Sequence, residues 1–93
     1  MHELQKNDHY QVISIEIPAG TNMPRHFATS DAYVIVESGN ALLIYKGETA
    51  ELKKGMSLSI PSHEPHLLKV IEDFKAYIVL ANDAVITYSA LLQ

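Results

Sequence analysis

The sequence predicts an all-β barrel or sandwich. Three observations carry this: seven or eight short runs suited to strands, turn-forming residues between them at short regular spacing, and no convincing amphipathic helical period. From Tyr10 to Pro18 the chain alternates, Val12, Ser14 and Glu16 against Ile13, Ile15 and Ile17, which is the period of a half-buried strand. Pro18, Gly20 and Pro24 close it.

Ala32–Glu37 and Ala41–Lys46 are two β-rich runs, and Ser38-Gly39-Asn40 between them reads as a hairpin turn. Lys46-Gly47-Glu48 supplies the next turn, and Thr49–Leu52 is a short strand ended by Lys53-Lys54-Gly55. Met56–Ile60 follows, and Pro61 to Pro65 breaks the chain again. Leu67–Ile71 and Lys75–Leu80, separated by Glu72-Asp73, form a second expected hairpin. The segment Asp83 to Gln93 supports two readings: Val85–Tyr88 suits a strand, whereas Asp83 as an N-cap with Leu91-Leu92 eight residues later suits a short helix.

Ninety-three residues make one domain, 1–93, because a second core would need roughly another 50 residues. The chain is 47% hydrophobic and 19% charged, which suits a packed core. A core of this size is marginal, and small β-domains commonly gain stability by self-association, so a homodimer is expected. Net charge is −4, and the seven basic residues are scattered from Lys6 to Lys75 without a stripe, which argues against a nucleic-acid partner. The absence of cysteine excludes a disulfide framework and a thiolate nucleophile. Met1 to Asp8 is polar and no run approaches the ~20 apolar residues of a membrane span, so no membrane partner and a cytoplasmic location are expected.

Two segments carry the chemistry. Gly20, five residues, His26, Phe27, Ala28, three residues, Ala32, six residues and Gly39 form the first. Gly55, five residues, Pro61, Ser62, His63, two residues, His66, three residues and Val70 form the second. They resemble the two motifs of the cupin superfamily, G-x5-H-x-H-x3-E-x6-G and G-x5-P-x-G-x2-H-x3-N, and the 15 residues between Gly39 and Gly55 match the spacing of small single-domain cupins. The resemblance covers about Val12 to Leu80. It implies a double-stranded β-helix, or jelly-roll barrel, and often a homodimer.

The resemblance also implies a divalent metal, iron, manganese, nickel or zinc, held by four side chains that point into the barrel. Carried over residue by residue, those positions are His26, Ala28, Ala32 and His66, and an alanine methyl has no lone pair to give. Two imidazoles fall short of the three protein ligands that zinc and non-haem iron sites usually supply. His63, standing where the family has glycine, is a possible third ligand; Glu64 and Asp31 are other candidates, with Asp31 expected to face away beside inward Ala32. The bland alternative makes His26 and His66 barrel residues hydrogen-bonded to each other, to water or to a backbone carbonyl, His63 an exposed turn residue, and His2 and His9 polar terminal residues.

By strand alternation the inward positions are Ala28, Ala32, Val34, Val36, His66, Leu68 and Val70. The expected site is therefore an apolar ligand pocket of His26, Ala28, Ala32, Val34, His66, Leu68 and Val70. Tyr33, Ile35, Leu67 and Ile71 fall on the outer face, where a second sheet or a dimer partner would cover them. The leading functional expectation is a binding module for a small organic ligand, without a standard metal site. The alternative is a cupin enzyme, an oxygenase, isomerase or epimerase using His26 and His66 with metal or without it; a purely structural interaction domain is the third reading.

Overall fold

The computed structural model describes residues 1–88, and in it the chain forms eight strands: β1 (His2–Lys6), β2 (Tyr10–Ile17), β3 (Asn22–Ala28), β4 (Ala32–Tyr45), β5 (Glu48–Lys53), β6 (Ser57–Ile60), β7 (His66–Ala81) and β8 (Ile86–Tyr88). Every pairing is antiparallel. The architecture turns on β4, with 14 residues, and β7, with 16. At ~3.3 Å per residue these would reach ~46 and ~53 Å if straight. The longest dimension of the molecule is 35 Å, so both strands must bend.

They bend together. The N-terminal half of β4 pairs with the C-terminal half of β7, Tyr33 with Val79 through Val36 with Ala76; the register then slips across Ser38, Asn40 and Ala41 before Leu42 meets Lys69 and Ile44 meets Leu67. On one side of the bend the order is β1-β2-β7-β4-β6, and on the other β8-β3-β7-β4-β5. The sheet thus curls into two facing halves whose inner surfaces form the core, with Ile13, Ile15 and Phe74 from one half and Leu43, Leu68 and Val70 from the other. This is the expected double-stranded β-helix.

Neither expected hairpin at these bends exists. Ser38-Gly39-Asn40 and Glu72-Asp73 lie inside continuous strands, because a bulge that turns a strand uses the same residue types as a turn that ends one. Gly39 has a φ of 90°, and a Cβ there would overlap the Asp73 carbonyl, so the crossing of β4 over β7 requires glycine. The hairpin at Lys46-Gly47 does form. Both residues have positive φ, 52° and 72°, as in a type I′ turn joining Tyr45 to Glu48.

Two strands had no legible signal. β1 is exposed along its whole length and has no alternation to show, and β3 contains Pro24, accommodated by an irregular register between Met23 and His26. Of the two readings of the last segment, the strand is the one seen: Ile86 pairs with Ala28 and Tyr88 with His26. Leu91 and Leu92 lie outside the described residues. The outward assignments hold for Tyr33, Ile35 and Ile71, 44%, 40% and 54% exposed, while Leu67 is half-buried.

Candidate functional site

His26 and His66 are forty residues apart in sequence and directly opposite each other in the β3–β7 register. Antiparallel partners project to the same face, here the inner one, and both side chains are 6% exposed. Their rings meet edge to face, with centroids 4.2 Å apart and planes at 64°.

The same local device orients each ring. His26 Nδ1 lies 2.6 Å from the carbonyl oxygen of Pro24, and His66 Nδ1 lies 2.8 Å from that of Glu64, in both cases two residues upstream. A carbonyl oxygen only accepts, so each Nδ1 carries the proton and donates. Each Nε2 is left with its lone pair, and neither makes a hydrogen bond among the described residues. Burial lowers both pKa values from the ordinary histidine range, the carbonyl bonds oppose the shift more weakly, and at His66 the neighbouring His26 lowers it further. Both imidazoles are therefore neutral at pH 7.

The two histidines line a cavity inside the barrel with about 50 Å³ of space for the centres of water-sized atoms. Ala28, Ala32, Val34 and Leu68 line it, and Ile15, Phe74 and Ile78 close it from the facing half. Val70 is buried but is not part of the lining, which corrects its assignment to the pocket. His26 and His66 are the only polar side chains in the lining among the described residues. A wider surface depression of about 380 Å³ near the strand bends is edged by Glu16, Asp73 and Lys75 and holds no histidine.

Among the described residues, no third ligand is brought to the pair. His63 is exposed, its Nδ1 is 2.7 Å from Ser62 Oγ and its ring lies 5.6 Å from that of Phe27. Its φ of 62° explains why the resembling family places glycine there. Glu64 pairs with Lys46 at 3.3 Å, and Asp31 accepts the backbone N–H of Ser62 at 2.8 Å. No cluster of three His, Cys, Asp or Glu side chains with metal-holding geometry occurs among the described residues. The Nδ1–H to carbonyl bonds are the second-layer arrangement that metal-bound histidines use, yet the donor count stops at two where Ala28 and Ala32 offer methyl groups. The residues present do not fit a metal centre.

One flanking residue escaped the sequence reading. Tyr88 stands opposite His26 in the β3–β8 pairing, with ring centroids 5.6 Å apart, and is half exposed beside the buried pair. Its position depends on β3, whose proline hides it; the only available signal was the β-type run Val85–Tyr88.

A protein-family model described as a cupin domain, Cupin_2, matches residues 13–82. No curated protein matches the chain. Among solved structures, a conserved protein of unknown function from Streptococcus pyogenes is 25% identical, with a TM-score of 0.77 over 86% of this chain and 70% of that one. An RmlC-like cupin family protein with a double-stranded β-helix fold from Methanocaldococcus jannaschii is 24% identical, TM-score 0.78, over 87% and 77%. The DMSP lyase DddQ from Ruegeria pomeroyi is 21% identical, TM-score 0.81, over 89% of this chain and 44% of that one.

Proposed function

The chain belongs to the cupin domain family, and from that premise we propose that it is a small-molecule binding module whose barrel cavity takes a small organic ligand oriented by His26 and His66. The observation that carries this reading is the pair of Nε2 lone pairs left without partners among the described residues, on two histidines that line a cavity whose other described walls are apolar side chains. A ligand that donates to both Nε2 atoms gains two hydrogen bonds in apolar surroundings, where such bonds are strong. Apolar walls with a few convergent polar groups are the usual form of a ligand site. Titration of methyl-labelled protein with a library of small fragments tests it: shifts confined to the Ala28, Ala32 and Leu68 methyls support the site, and a library that moves none of them overturns it.

Catalysis by the same pair is the second reading, favoured by the pKa lowering at both histidines. A neutral Nε2 in an apolar cavity is a competent general base for proton transfer without metal, and the Tyr88 ring lies 5.6 Å from that of His26. Chemical turnover of a cavity ligand, lost when both histidines are replaced, separates catalysis from binding alone.

The outer face supports self-association. Tyr33 and Ile35 stand exposed on the middle of a sheet, in register with Val79 and Tyr77 of β7.

A further inference from the structure

We propose that this cavity selects ligands by hydrogen-bond polarity: it takes a small neutral molecule that donates two hydrogen bonds, of the primary amide or vicinal diol class, and rejects carboxylates of the same shape. This inference rests on the binding-module reading and adds the direction in which the polar contacts run.

The direction follows from geometry. Pro24 and Glu64 present carbonyl oxygens to the two Nδ1 atoms at 2.6 and 2.8 Å, and a carbonyl at that distance requires N–H on the ring. The tautomer of each imidazole is therefore set by the backbone rather than by the ligand. Both Nε2 atoms then accept and neither donates. A histidine free to exchange tautomers could serve a donor or an acceptor equally; these two are held in one role.

The two acceptors belong to neighbouring rings, whose centroids are 4.2 Å apart on strands paired residue to residue. A ligand with two hydrogens on one atom or on adjacent atoms can donate to both, whereas a single hydroxyl donates to only one. Among the described residues the lining holds no Lys, Arg, Asp or Glu to offset the cost of desolvating an ionic ligand. A carboxylate meets two lone pairs with its own and gains no hydrogen bond. Space bounds the size: about 50 Å³ is several times the ~10–15 Å³ that one water needs on the same measure, enough for roughly four non-hydrogen atoms.

Acetamide and acetate make the test, because they share shape and heavy-atom count and differ in donor against acceptor at one end. With the full chain labelled with ¹⁵N-histidine at pH 7, the imidazole spectra should show both rings as the Nδ1–H form. Acetamide should move the two Nε2 resonances on titration, and acetate should bind at least about tenfold more weakly. The variants His26→Asn and His66→Asn keep an N–H at the position of Nδ1 for the carbonyl bond and remove the Nε2 acceptor, so each should weaken acetamide about tenfold while the chain stays folded. An Nε2–H form at either ring, equal binding of acetate, or unchanged acetamide binding in both variants overturns the inference. If apolar fragments still move the cavity methyls in that event, the binding-module reading survives and the donor selection alone falls. If no probe moves them, both fall together.

Discussion

Gly39 and Asp73 meet backbone against backbone where the two long strands cross, and a Cβ on residue 39 would occupy the space of the Asp73 carbonyl. The contact lets β4 and β7 pass from one half of the barrel to the other in register on both sides of the bend. Gly39→Ala pushes against a backbone atom that cannot rotate away and places a side chain at a φ of 90°. Urea unfolding should show a loss of about 2–4 kcal/mol. Gly20→Ala, which meets open space at a φ of 83°, should cost less, about 1 kcal/mol, from backbone strain alone. Equal losses at the two positions would contradict the crossing argument.

His63→Gly should stabilise the protein. His63 holds a φ of 62° that glycine adopts freely, and its interactions, with Ser62 Oγ and the Phe27 ring, are at the exposed surface. Relief of left-handed strain, about 1 kcal/mol, exceeds those contacts and the added freedom of the unfolded chain. The expected outcome is a gain of about 0.5 kcal/mol by urea unfolding with unchanged binding of cavity ligands. A loss of ligand affinity would put His63 back in the site.

Acid should destabilise the fold in two separate ranges. His26 and His66 have pKa values lowered by burial, so the unfolded chain takes up protons at these sites before the folded one does. Stability is complete above the unfolded value, about 6.5, and declines as pH falls from there toward the lowered folded values, where the decline levels off. Glu37 and Glu51 are also lowered, chiefly by the hydroxyl of Tyr77 and the amide of Asn40, and their contribution disappears only at more acid pH, below the ordinary carboxylate value. Urea midpoints recorded from pH 8 to pH 3 should show both ranges. The double variant His26→Asn, His66→Asn should lose the upper one and keep the lower.

Tyr33→Glu together with Ile35→Lys should convert a dimer to a monomer without unfolding it. Both residues face outward on β4, and neither lines the cavity. Light scattering coupled to size exclusion measures the mass directly. A parent chain that is already monomeric at about 100 µM, or a double variant that keeps the parent mass, removes this face as the site of association.

The inward face was readable because strand alternation is local. Once Ala32–Glu37 and the run after His66 are taken as strands, Val34, Val36, Leu68 and Val70 must share one side, and all are buried. Alternation states which side a residue faces and not how far along the barrel it lies, so it could not separate Leu68, which lines the cavity, from Val70, which does not. β3 was hidden for a different reason. Pro24 and its neighbours carry the composition of a loop, and only pairing with β7 and β8 on either side makes the segment a strand. Tyr88, beside His26 through that pairing, was hidden with it.

By itself the sequence determined the all-β class, the barrel type through its two motifs, the alanines Ala28 and Ala32 at two of the four positions where the resemblance implies metal donors, and the expectation that His26 and His66 share one interior. These depend on residue identity, period and spacing, which are properties of the chain. The tertiary structure alone decided that β4 and β7 run through their apparent turns, because a Ser-Gly-Asn segment bends a strand or ends it according to what packs across from it. It alone decided that both Nδ1 atoms face backbone carbonyls, which fixes the protons and leaves both Nε2 lone pairs without a partner among the described residues. A proton's place on a histidine is set by its hydrogen-bond partner, and that partner exists only when the backbone on either side of the bulge at Pro24 and the turn before His66 has taken its final course.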